Sequence, residues 1–562
     1  MAGKRRHSRS AHSAADGRIR LLHVVLVLAF VVVVGKAFAL TASSSGLSSV
    51  AQRQTQRSVA LPAHRGDIVD RSGTQLAVGK EQQTVWATPH QLTDPRGAAR
   101  QLAKVLHVSR TKLEKAFLQH DSWYACVARQ VDPALAKKAL DLKIVGVGSS
   151  PEEKRFYPLK TLAAQVVGYV GTQNDKGLAG LEMQYNPALR GLPGSELVVI
   201  DAAGRVLKTE RERDPQTGAR VRLTIDEAIQ LRAENVLSDT VRQYHAQGAT
   251  AIVMDPRTGE LLALANVPLV DANKWGMAKP AVERNRAITD IYEPGSTFKV
   301  ITVSAALEDH LVTPKTSFVL PYQIVVDGHT FHDAEPRGTE RMTVSDILSK
   351  SSNVGAAHLG TMLGKQELLR WIGKFGFGKP TGIAFPGEAA GKLPGYWANS
   401  TTATVPMGQG ISVTAIQMAA AYAAVANGGV WQEPRLVAQV GDKVVAPTGQ
   451  RRVISAKVAT QVLSMMNDVV MEGTGTAFQI PGYTAAGKTG TAEVPDYNHG
   501  GYAPGKYVAS FIGLVPAAHP KVLVMVVVDE PATSIGYFGG VVAAPAAQKI
   551  AQFVLTYLKI AP

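Results

Sequence analysis

Three short segments of this sequence carry side chains that could together form one site for acyl transfer. The first is YEPGSTFK, residues 292–299. Pro294 and Gly295 interrupt the chain just before an apolar run, so we expect Ser296 in the first turn of a helix over residues 300–307. Residues three apart share a helical face, which puts the Lys299 amine within reach of the Ser296 hydroxyl. A hydroxyl beside an amine whose pKa is lowered by burial and a neighbouring cation forms a nucleophile with its base.

The spacing S-x-x-K is weak evidence alone, because a second match occurs at Ser109 and Lys112. That match precedes charged, helix-like sequence and lacks the Pro-Gly interruption. We therefore predict that Ser109 caps a helix and that Lys112 lies on its solvated face.

The second segment is Ser351-Ser352-Asn353, the only S-x-N in the chain. Its first hydroxyl could relay a proton, and its amide could hold a backbone group of a bound peptide. Ser351 and Asn353 are thus the second pair of candidate catalytic residues.

The third segment is Lys488-Thr489-Gly490-Thr491, which contains the only K-T-G. Gly490 allows another backbone to lie close to a strand. Thr489 and Thr491 share a strand face and can donate hydroxyls to a carboxylate, while Lys488 supplies positive potential. The three segments therefore predict a site that binds a peptide with a free carboxylate and attacks it with a serine to form an acyl-enzyme.

The elements that must position these segments can be read from apolar runs. Thr250–Met254 and Leu261–Ala265 flank a Pro/Gly turn and predict a hairpin. Val522–Val528 predicts a strand buried on both faces. Ile411–Asn427 and Ala543–Leu558 have the Ala-rich helical pattern of elements that cover such a sheet. We expect a central sheet between helices, preceded by a mixed α+β region without a catalytic cluster, in which residues 65–78 form two strands around a turn.

The N-terminal forty residues predict a membrane anchor. Residues 1–20 contain six Lys or Arg and one acidic residue, and Leu21–Leu40 is apolar except for His23 and Lys36. Cations before a hydrophobic span keep the N-terminus in the cytoplasm and send the rest of the chain outward. A cleaved signal peptide is the alternative, since residues 37–39 resemble a cleavage site. Thr41–Arg57 has the composition of a linker or solvated stalk.

Composition excludes several classes of protein. The chain has 562 residues, a formal net charge of +15 and one cysteine, so intrachain disulfides are impossible and a thiolate metal centre is not expected. The basic tail contains no aromatic residue and the remainder mixes both signs of charge, so we expect no nucleic-acid partner. Neither a metal nor a cofactor is predicted.

The order S-x-x-K, S-x-N, K-T-G resembles that of penicillin-binding proteins and serine β-lactamases. The separations are 55 residues from Ser296 to Ser351 and 137 residues from Ser351 to Lys488. These separations, with EPGSTFK, KSSNVG and GKTGTA, resemble the class B penicillin-binding proteins, most closely the FtsI-type division-specific D,D-transpeptidases. The likeness runs from about Leu61 to the last residue. It implies an α+β pedestal (dimerisation-type) domain over residues 41–222, after a cytoplasmic tail (1–20) and a transmembrane anchor (21–40), and an α/β transpeptidase domain with a central antiparallel sheet over residues 223–562.

The resemblance also implies a role for each candidate residue. A serine-type D-Ala-D-Ala transpeptidase cross-links peptidoglycan stem pentapeptides on glycan strands derived from lipid II, and β-lactams inhibit it covalently. The implied catalytic residues are Ser296 (nucleophile), Lys299 (base), Ser351 (proton relay), Asn353 (substrate amide) and Lys488; the implied carboxylate site is Lys488, Thr489, Gly490 and Thr491, with the backbone N–H groups of Ser296 and Thr491 as the oxyanion hole.

The same resemblance implies a place in the cell and a set of partners. It predicts a single-pass protein of the bacterial cell membrane, at the septum, whose partners are a polytopic glycan polymerase of the FtsW type and other division proteins. An elongation-type class B transpeptidase and a catalytically silent division scaffold that still binds β-lactams are the alternatives. A β-lactamase is disfavoured because no E-x-x-L-N segment lies between Asn353 and Lys488.

Overall fold

The protein forms two compact units. The computed structural model describes residues 11–42, 56–171, 175–200, 206–496 and 499–562. The first unit comprises Met1–Ala63 and Leu192–Gln216, and the second comprises His64–Gly191 and Thr217–Pro562. The predicted linker over Thr41–Arg57 falls mainly on residues 43–55, which lie outside the described residues. The predicted domain limits at residues 20, 40 and 222 stay predictions.

The described strands are numbered in chain order: β1 (Gln56–Leu61), β2 (Ile68–Val69), β3 (Gln75–Ala87), β4 (Ala125–Val131), β5 (Val147–Phe156), β6 (Gly194–Ile200), β7 (Val206–Arg213), β8 (Val221–Leu223), β9 (Gly248–Met254), β10 (Leu261–Val267), β11 (Ser317–Leu320), β12 (Gln323–Val326), β13 (His329–His332), β14 (Glu340–Thr343), β15 (Val430–Gln432), β16 (Val437–Val440), β17 (Lys443–Val444), β18 (Gln450–Arg452), β19 (Ala486–Pro495), β20 (Tyr502–Val515) and β21 (Val522–Asp529).

The described α-helices are α1 (Ala11–Ala42), α2 (Pro95–Leu106), α3 (Arg110–Phe117), α4 (Pro133–Leu140), α5 (Ala164–Val167), α6 (Gly180–Gln184), α7 (Asn186–Leu189), α8 (Glu227–Gln243), α9 (Pro280–Glu283), α10 (Arg286–Thr289), α11 (Lys299–Glu308), α12 (Val344–Ser349), α13 (Asn353–Phe375), α14 (Asn399–Thr404), α15 (Ala415–Ala426), α16 (Ala456–Met471) and α17 (Gly539–Tyr557).

The first unit contains α1 and an antiparallel sheet in the order β1-β6-β7. Within α1, Gly17–Thr41 contains an 18-residue window with a mean hydropathy of 2.6, and its side chains are exposed. At 1.5 Å per residue this stretch is long enough to cross a hydrocarbon core of about 30 Å. It includes the whole predicted anchor, Leu21–Leu40.

The second unit contains a five-stranded antiparallel sheet in the order β10-β9-β21-β20-β19. Successive side chains of a strand point to opposite faces of the sheet. Because nearly every residue of β21 is buried, both of its faces are hydrophobic. Leu523 and Met525 belong to one hydrophobic cluster, which includes residues of α11, α15 and α16. Val524 and Val526 belong to another, which includes residues of α8 and α17. The predicted central sheet between helices is confirmed, as are the hairpin of β9 and β10 and the doubly buried strand β21.

A second sheet combines strands from both sides of residue 222. Its order is β17-β16-β8-β2-β3-β4, and β5 also pairs with β3. The predicted pair of strands within residues 65–78 corresponds to β2 and the start of β3. Helices α2, α3 and α4 contribute to a separate hydrophobic cluster with β3 and β4, including Leu102 and Phe117.

Two predicted helix limits differ from the structure. Helix α15 begins at Ala415 rather than Ile411, because the Thr414 side chain accepts a hydrogen bond from the Gln417 N–H and caps it. Helix α17 begins at Gly539 rather than Ala543. A Cβ added at Gly539 would lie 2.3 Å from the carbonyl oxygen of Gly490. The helix therefore starts on glycine to approach the sheet, and glycine is a weak helical signal in a sequence.

Candidate active site

The predicted nucleophile, Ser296, lies in a 3-10 turn that leads directly into the α-helix expected after it. The 3-10 helix is Gly295–Phe298, and α11 begins only at Lys299. Gly295 has a φ of +55°, and it tightens the chain after Pro294. Side chains three residues apart are eclipsed in a 3-10 helix. This geometry brings Lys299 Nζ to 2.9 Å from Ser296 Oγ.

The Lys299 amine is fully buried and surrounded by hydrogen-bond acceptors. Besides Ser296 Oγ, it lies 2.5 Å from the carbonyl oxygen of Ser351 and 2.7 Å from Asn353 Oδ1. A neutral amine has two N–H donors and one lone pair. Donation to Ser351 and Asn353 uses both N–H groups, which leaves the lone pair to accept the hydroxyl hydrogen of Ser296. The surroundings thus suit a neutral lysine amine whose lone pair faces the Ser296 hydroxyl.

Electrostatics favour the neutral amine. Burial lowers the pKa of Lys299 well below its usual value; the nearby Lys488 lowers it further, and Asp333 opposes both effects. Burial also lowers the pKa of Lys488 to about 7. One of the two buried amines can therefore be a base while the other retains a proton to donate.

Ser351 lies between the two lysines. Its Oγ is 2.9 Å from Lys488 Nζ and 3.3 Å from Lys299 Nζ. Its φ of +60° is in the left-handed region, which is uncommon for a residue other than glycine. This conformation presents both the hydroxyl and the carbonyl of one residue to lysine amines. A continuous hydrogen-bonded chain therefore links Ser296, Lys299, Ser351 and Lys488.

Asp333 positions the second motif, although no sequence pattern singles it out. Each of its carboxylate oxygens lies 3.0 Å from Ser352 Oγ, and Oδ1 also accepts the Val354 N–H at 3.0 Å. Arg337 forms an ion pair with it at 2.6 Å. A carboxylate at the first turn of α13 is favourable because the N-terminal end of a helix is electropositive. Asp333 thus fixes the start of the helix that carries Asn353.

The K-T-G segment lies in β19 at the edge of the five-stranded sheet. Lys488 is fully buried, and its amine also lies 3.3 Å from the Thr489 carbonyl oxygen. A Cβ at Gly490 would lie 2.9 Å from the carbonyl oxygen of Pro294. Likewise, a Cβ at Gly295 would lie 2.9 Å from the carbonyl oxygen of Thr491. Glycine at both positions lets the nucleophile turn lie directly against β19.

The two threonines of β19 have protein partners of their own. Thr489 Oγ1 lies 2.7 Å from Thr474 Oγ1. Thr491 Oγ1 accepts the Gly539 N–H at 3.0 Å. Because this hydroxyl acts as the acceptor, its own hydrogen stays available for donation. Thr474 and Gly539 were not predicted, since a lone threonine in a loop and a glycine pair at the start of a helix have no periodic signal.

The structure therefore brings the three predicted segments together. Among the candidate residues, Ser296, Lys299, Ser351, Asn353 and Lys488 share hydrogen bonds, and Thr489, Gly490 and Thr491 continue from Lys488 along β19. The second S-x-x-K behaves as predicted. Ser109 caps α3 by accepting the Lys112 N–H at 3.4 Å, and both residues are exposed.

Two family models match the chain. The model of the penicillin binding protein transpeptidase domain matches residues 249–552. That of the penicillin-binding protein dimerisation domain matches residues 60–223. The chain belongs to the class B penicillin-binding proteins. The resemblance predicted from the sequence is confirmed, and so is the predicted fold class.

Individual relatives extend over nearly the whole of this penicillin-binding protein. Stage V sporulation protein D of Bacillus subtilis is 35% identical over 97% of this chain and 86% of its own length. Peptidoglycan D,D-transpeptidase FtsI of Escherichia coli K12 is 32% identical over 97% of this chain and 92% of its own. The crystal structure of penicillin-binding protein 3 from Mycobacterium tuberculosis, complexed with aztreonam, is similar with a TM-score of 0.71. It is 29% identical and covers 90% of this chain and 98% of its own.

Proposed function

We propose that this protein is a peptidoglycan D,D-transpeptidase that cross-links stem peptides through an acyl-enzyme on Ser296. The single observation that carries the proposal is the position of the buried Lys299 amine, 2.9 Å from Ser296 Oγ and hydrogen-bonded on its other sides to the S-x-N segment. Family membership supports the same activity.

In acylation, the lone pair of Lys299 takes the hydroxyl hydrogen of Ser296 as Oγ attacks the carbonyl carbon of the penultimate D-alanine. The C–N bond then breaks, and the amine of the terminal D-alanine leaves. Ser351 passes a proton to that amine and regains one from Lys488, whose pKa of about 7 suits it to donate. The products are a serine ester and free D-alanine.

In the second half-reaction, the amine of a neighbouring stem peptide attacks the ester carbonyl. The amine loses a proton, the C–O bond to Ser296 breaks, and the serine oxygen regains a hydrogen. The result is a new peptide bond between two stems and a free enzyme. No water is consumed, so the outcome is transfer rather than hydrolysis.

The substrate binds along the rim of β19, by which we mean residues Lys488–Thr491. Lys488, Thr489 and Thr491 bind the terminal carboxylate, and Asn353 holds a substrate amide. The backbone N–H groups of Ser296 and Thr491 form the oxyanion hole, and the close approach of Gly295 to Thr491 supports this pairing. Each such donor contributes about 3 to 4 kcal/mol in comparable sites. A β-lactam acylates Ser296 in the same geometry and blocks it.

The anchor and the relatives support a proposal for the cellular role. Helix α1 holds the protein in the membrane by a single pass, with its basic tail in the cytoplasm and its catalytic domain outside. The likeness to FtsI is our reason for placing this work at the division septum. The family resemblance further implies a polytopic glycan polymerase of the FtsW type as the partner. Imaging of cells depleted of this protein tests that role: filaments with blocked septa support division, whereas rounded or swollen cells support the elongation alternative.

Peptide exchange tests the activity itself. The full-length chain in detergent is incubated with a stem pentapeptide and an excess of a second D-amino acid, and exchange at the terminal position is measured. We expect exchange by the wild type and by Ser109→Ala, the matched serine of the other S-x-x-K, and none by Ser296→Ala. Exchange that persists in Ser296→Ala would overturn the assignment of the nucleophile. Penicillin binding without any exchange by the wild type would support a silent scaffold.

A further inference from the structure

Glu293, three residues before the proposed nucleophile, is a buried carboxylate that joins separate parts of the chain. Its Oε1 accepts the Gly410 N–H at 2.9 Å, and its Oε2 accepts the Tyr502 O–H at 3.0 Å. The residue is only 6% exposed, and no ion pair between described residues includes it. Burial, aided by Glu493, raises its pKa to about 7, although its two hydrogen bonds oppose the rise. Burying a carboxylate costs free energy, and these two hydrogen bonds offset part of that cost.

The hydrogen bond from Gly410 joins the segment that contains Ser296 to the loop at residues 408–413. That loop also accepts the Gly295 N–H at the Gly408 carbonyl oxygen, over 3.0 Å. Tyr292 and Val413 exchange two backbone hydrogen bonds, each of 2.9 Å. Glu293 therefore completes a set of bonds that fixes the chain on the N-terminal side of Ser296.

The hydrogen bond from Tyr502 joins Glu293 to the hairpin of β19 and β20. Tyr502 is the first residue of β20 and is the register partner of Pro495, the last residue of β19. Pro495 lies four residues beyond Thr491, whose N–H is one proposed oxyanion donor. The same carboxylate thus holds the segment of Ser296 and the hairpin that carries Thr491.

We propose that Glu293 is a positioning residue that sets the distance between the rim of β19 and Ser296, an inference that rests on the proposed function. It touches neither substrate nor reacting atoms. Both oxyanion donors act on one oxygen, so their mutual alignment decides how well the tetrahedral oxyanion is stabilised. A displacement of about 1 Å in a positioned group can reduce a rate by roughly a hundredfold.

Glutamine separates geometry from charge at this position. Its Oε1 can accept the Gly410 N–H, and its Nε2 can donate to the Tyr502 oxygen, so both connections survive without the charge. Alanine removes both connections. Tyr502→Phe removes the hydrogen bond between Glu293 and the hairpin and keeps the one to Gly410. If alignment is what Glu293 provides, glutamine should replace it and alanine should not.

The test is the time course of penicillin acylation at several concentrations, with the full-length chain in detergent. These data separate the dissociation constant of the first complex from the acylation rate constant. We expect Glu293→Ala to lower the rate constant by about tenfold or more and Tyr502→Phe to lower it about threefold. We expect Glu293→Gln to stay within about twofold of the wild type, and all dissociation constants to change by less than about threefold.

Glu308→Ala is the matched control. Glu308 Oε2 also accepts two hydrogen bonds, from Ser455 N and Oγ at 2.9 and 2.8 Å, but it lies at the far end of α11. The acylation rate constant of Glu308→Ala should equal that of the wild type. The proposal is overturned if Glu293→Ala reacts at the wild-type rate, if Glu293→Gln is as slow as Glu293→Ala, or if Glu308→Ala is equally slow. Should Glu293→Ala fail to fold, a wild-type rate in Tyr502→Phe overturns it. A wild type that is not acylated at all would instead refute the proposed function, and this inference with it.

Discussion

The two S-x-x-K segments have the same spacing and opposite environments. Ser109 and Lys112 lie at the start of α3, where both residues are exposed and the serine only caps the helix. Ser296 lies in a 3-10 turn against the sheet, and Lys299 is the first residue of the following helix α11. The lysine is fully buried, and its Nζ lies 2.9 Å from Ser296 Oγ. Spacing places a hydroxyl and an amine on one face of a turn. In the proposed mechanism, burial, a second cation and fixed acceptors turn that pair into a nucleophile and a base.

Removing the buried amine of Lys299 should have the largest effect on acylation. Lys299→Met keeps an unbranched side chain of similar length but removes the amine that we propose as the base for Ser296. We expect the second-order rate constant for penicillin acylation to fall by roughly 10²- to 10⁴-fold, the range for positioned acid–base groups. Lys112→Met is the matched change in the other segment and should leave the rate unchanged. Equal rates in Lys299→Met and the wild type would remove the functional difference between the two segments.

The second prediction concerns the neighbouring cation. Acylation should rise with pH as Lys299 loses its proton, because only the neutral amine accepts a hydrogen. Lys488→Ala removes a like charge and opens the site to water, and both changes favour protonated Lys299. The rising limb of the pH profile should therefore move to higher pH. Below that limb, the rate should fall about tenfold for every pH unit by which the pKa of Lys299 rises. A limb that stays in place would show that Lys488 does not set the pKa of Lys299.

Replacing Asp333 should shift the pH profile of acylation in the opposite direction. Its carboxylate raises the pKa of Lys299, so Asp333→Asn should move the same limb to lower pH. The plateau should fall severalfold, because the replacement weakens the hydrogen bonds that fix Ser352 and Val354 at the start of α13. Asp94→Asn, at the N-cap of α2, is a matched carboxylate change outside the site. Movement of the limb to higher pH in Asp333→Asn would contradict this electrostatic account.

The smallest effect should come from the exposed segment. Ser109→Ala removes a helix cap, which typically costs about 1 kcal/mol of stability. We expect a slightly lower midpoint in thermal unfolding and an unchanged acylation rate. A lower acylation rate at temperatures where the variant stays folded would mean that the exposed segment contributes to the site after all.

Much of the site was predictable because its residues belong to short, chemically distinct motifs. Ser296, Ser351 and Lys488 occur in segments whose residue types and order match one kind of chemistry. Strand β21 was equally clear, since an uninterrupted apolar run rich in valine predicts a strand buried on both faces. These signals depend on a few adjacent residues and survive without knowledge of the tertiary structure.

The supporting residues were not predictable for the same reason. Asp333 acts on Ser352 from a loop 19 residues away in sequence, and Glu293 reaches Tyr502 across 209 residues. The 3-10 turn at Ser296 and the start of α17 at Gly539 arise from close contacts with β19, and contacts between distant segments leave no local pattern. The intrinsic preferences of the residues predicted which helices and strands form. Tertiary packing decided where these elements end and which distant residues they contact.

Peptide mapping by mass spectrometry tests the central claim most directly. The full-length chain is treated with penicillin, its intact mass is recorded, and the modified residue is located after digestion. We predict one adduct per chain, on Ser296, that is absent from Ser296→Ala and present in Ser109→Ala. An adduct on another residue, or one that survives in Ser296→Ala, would contradict the account.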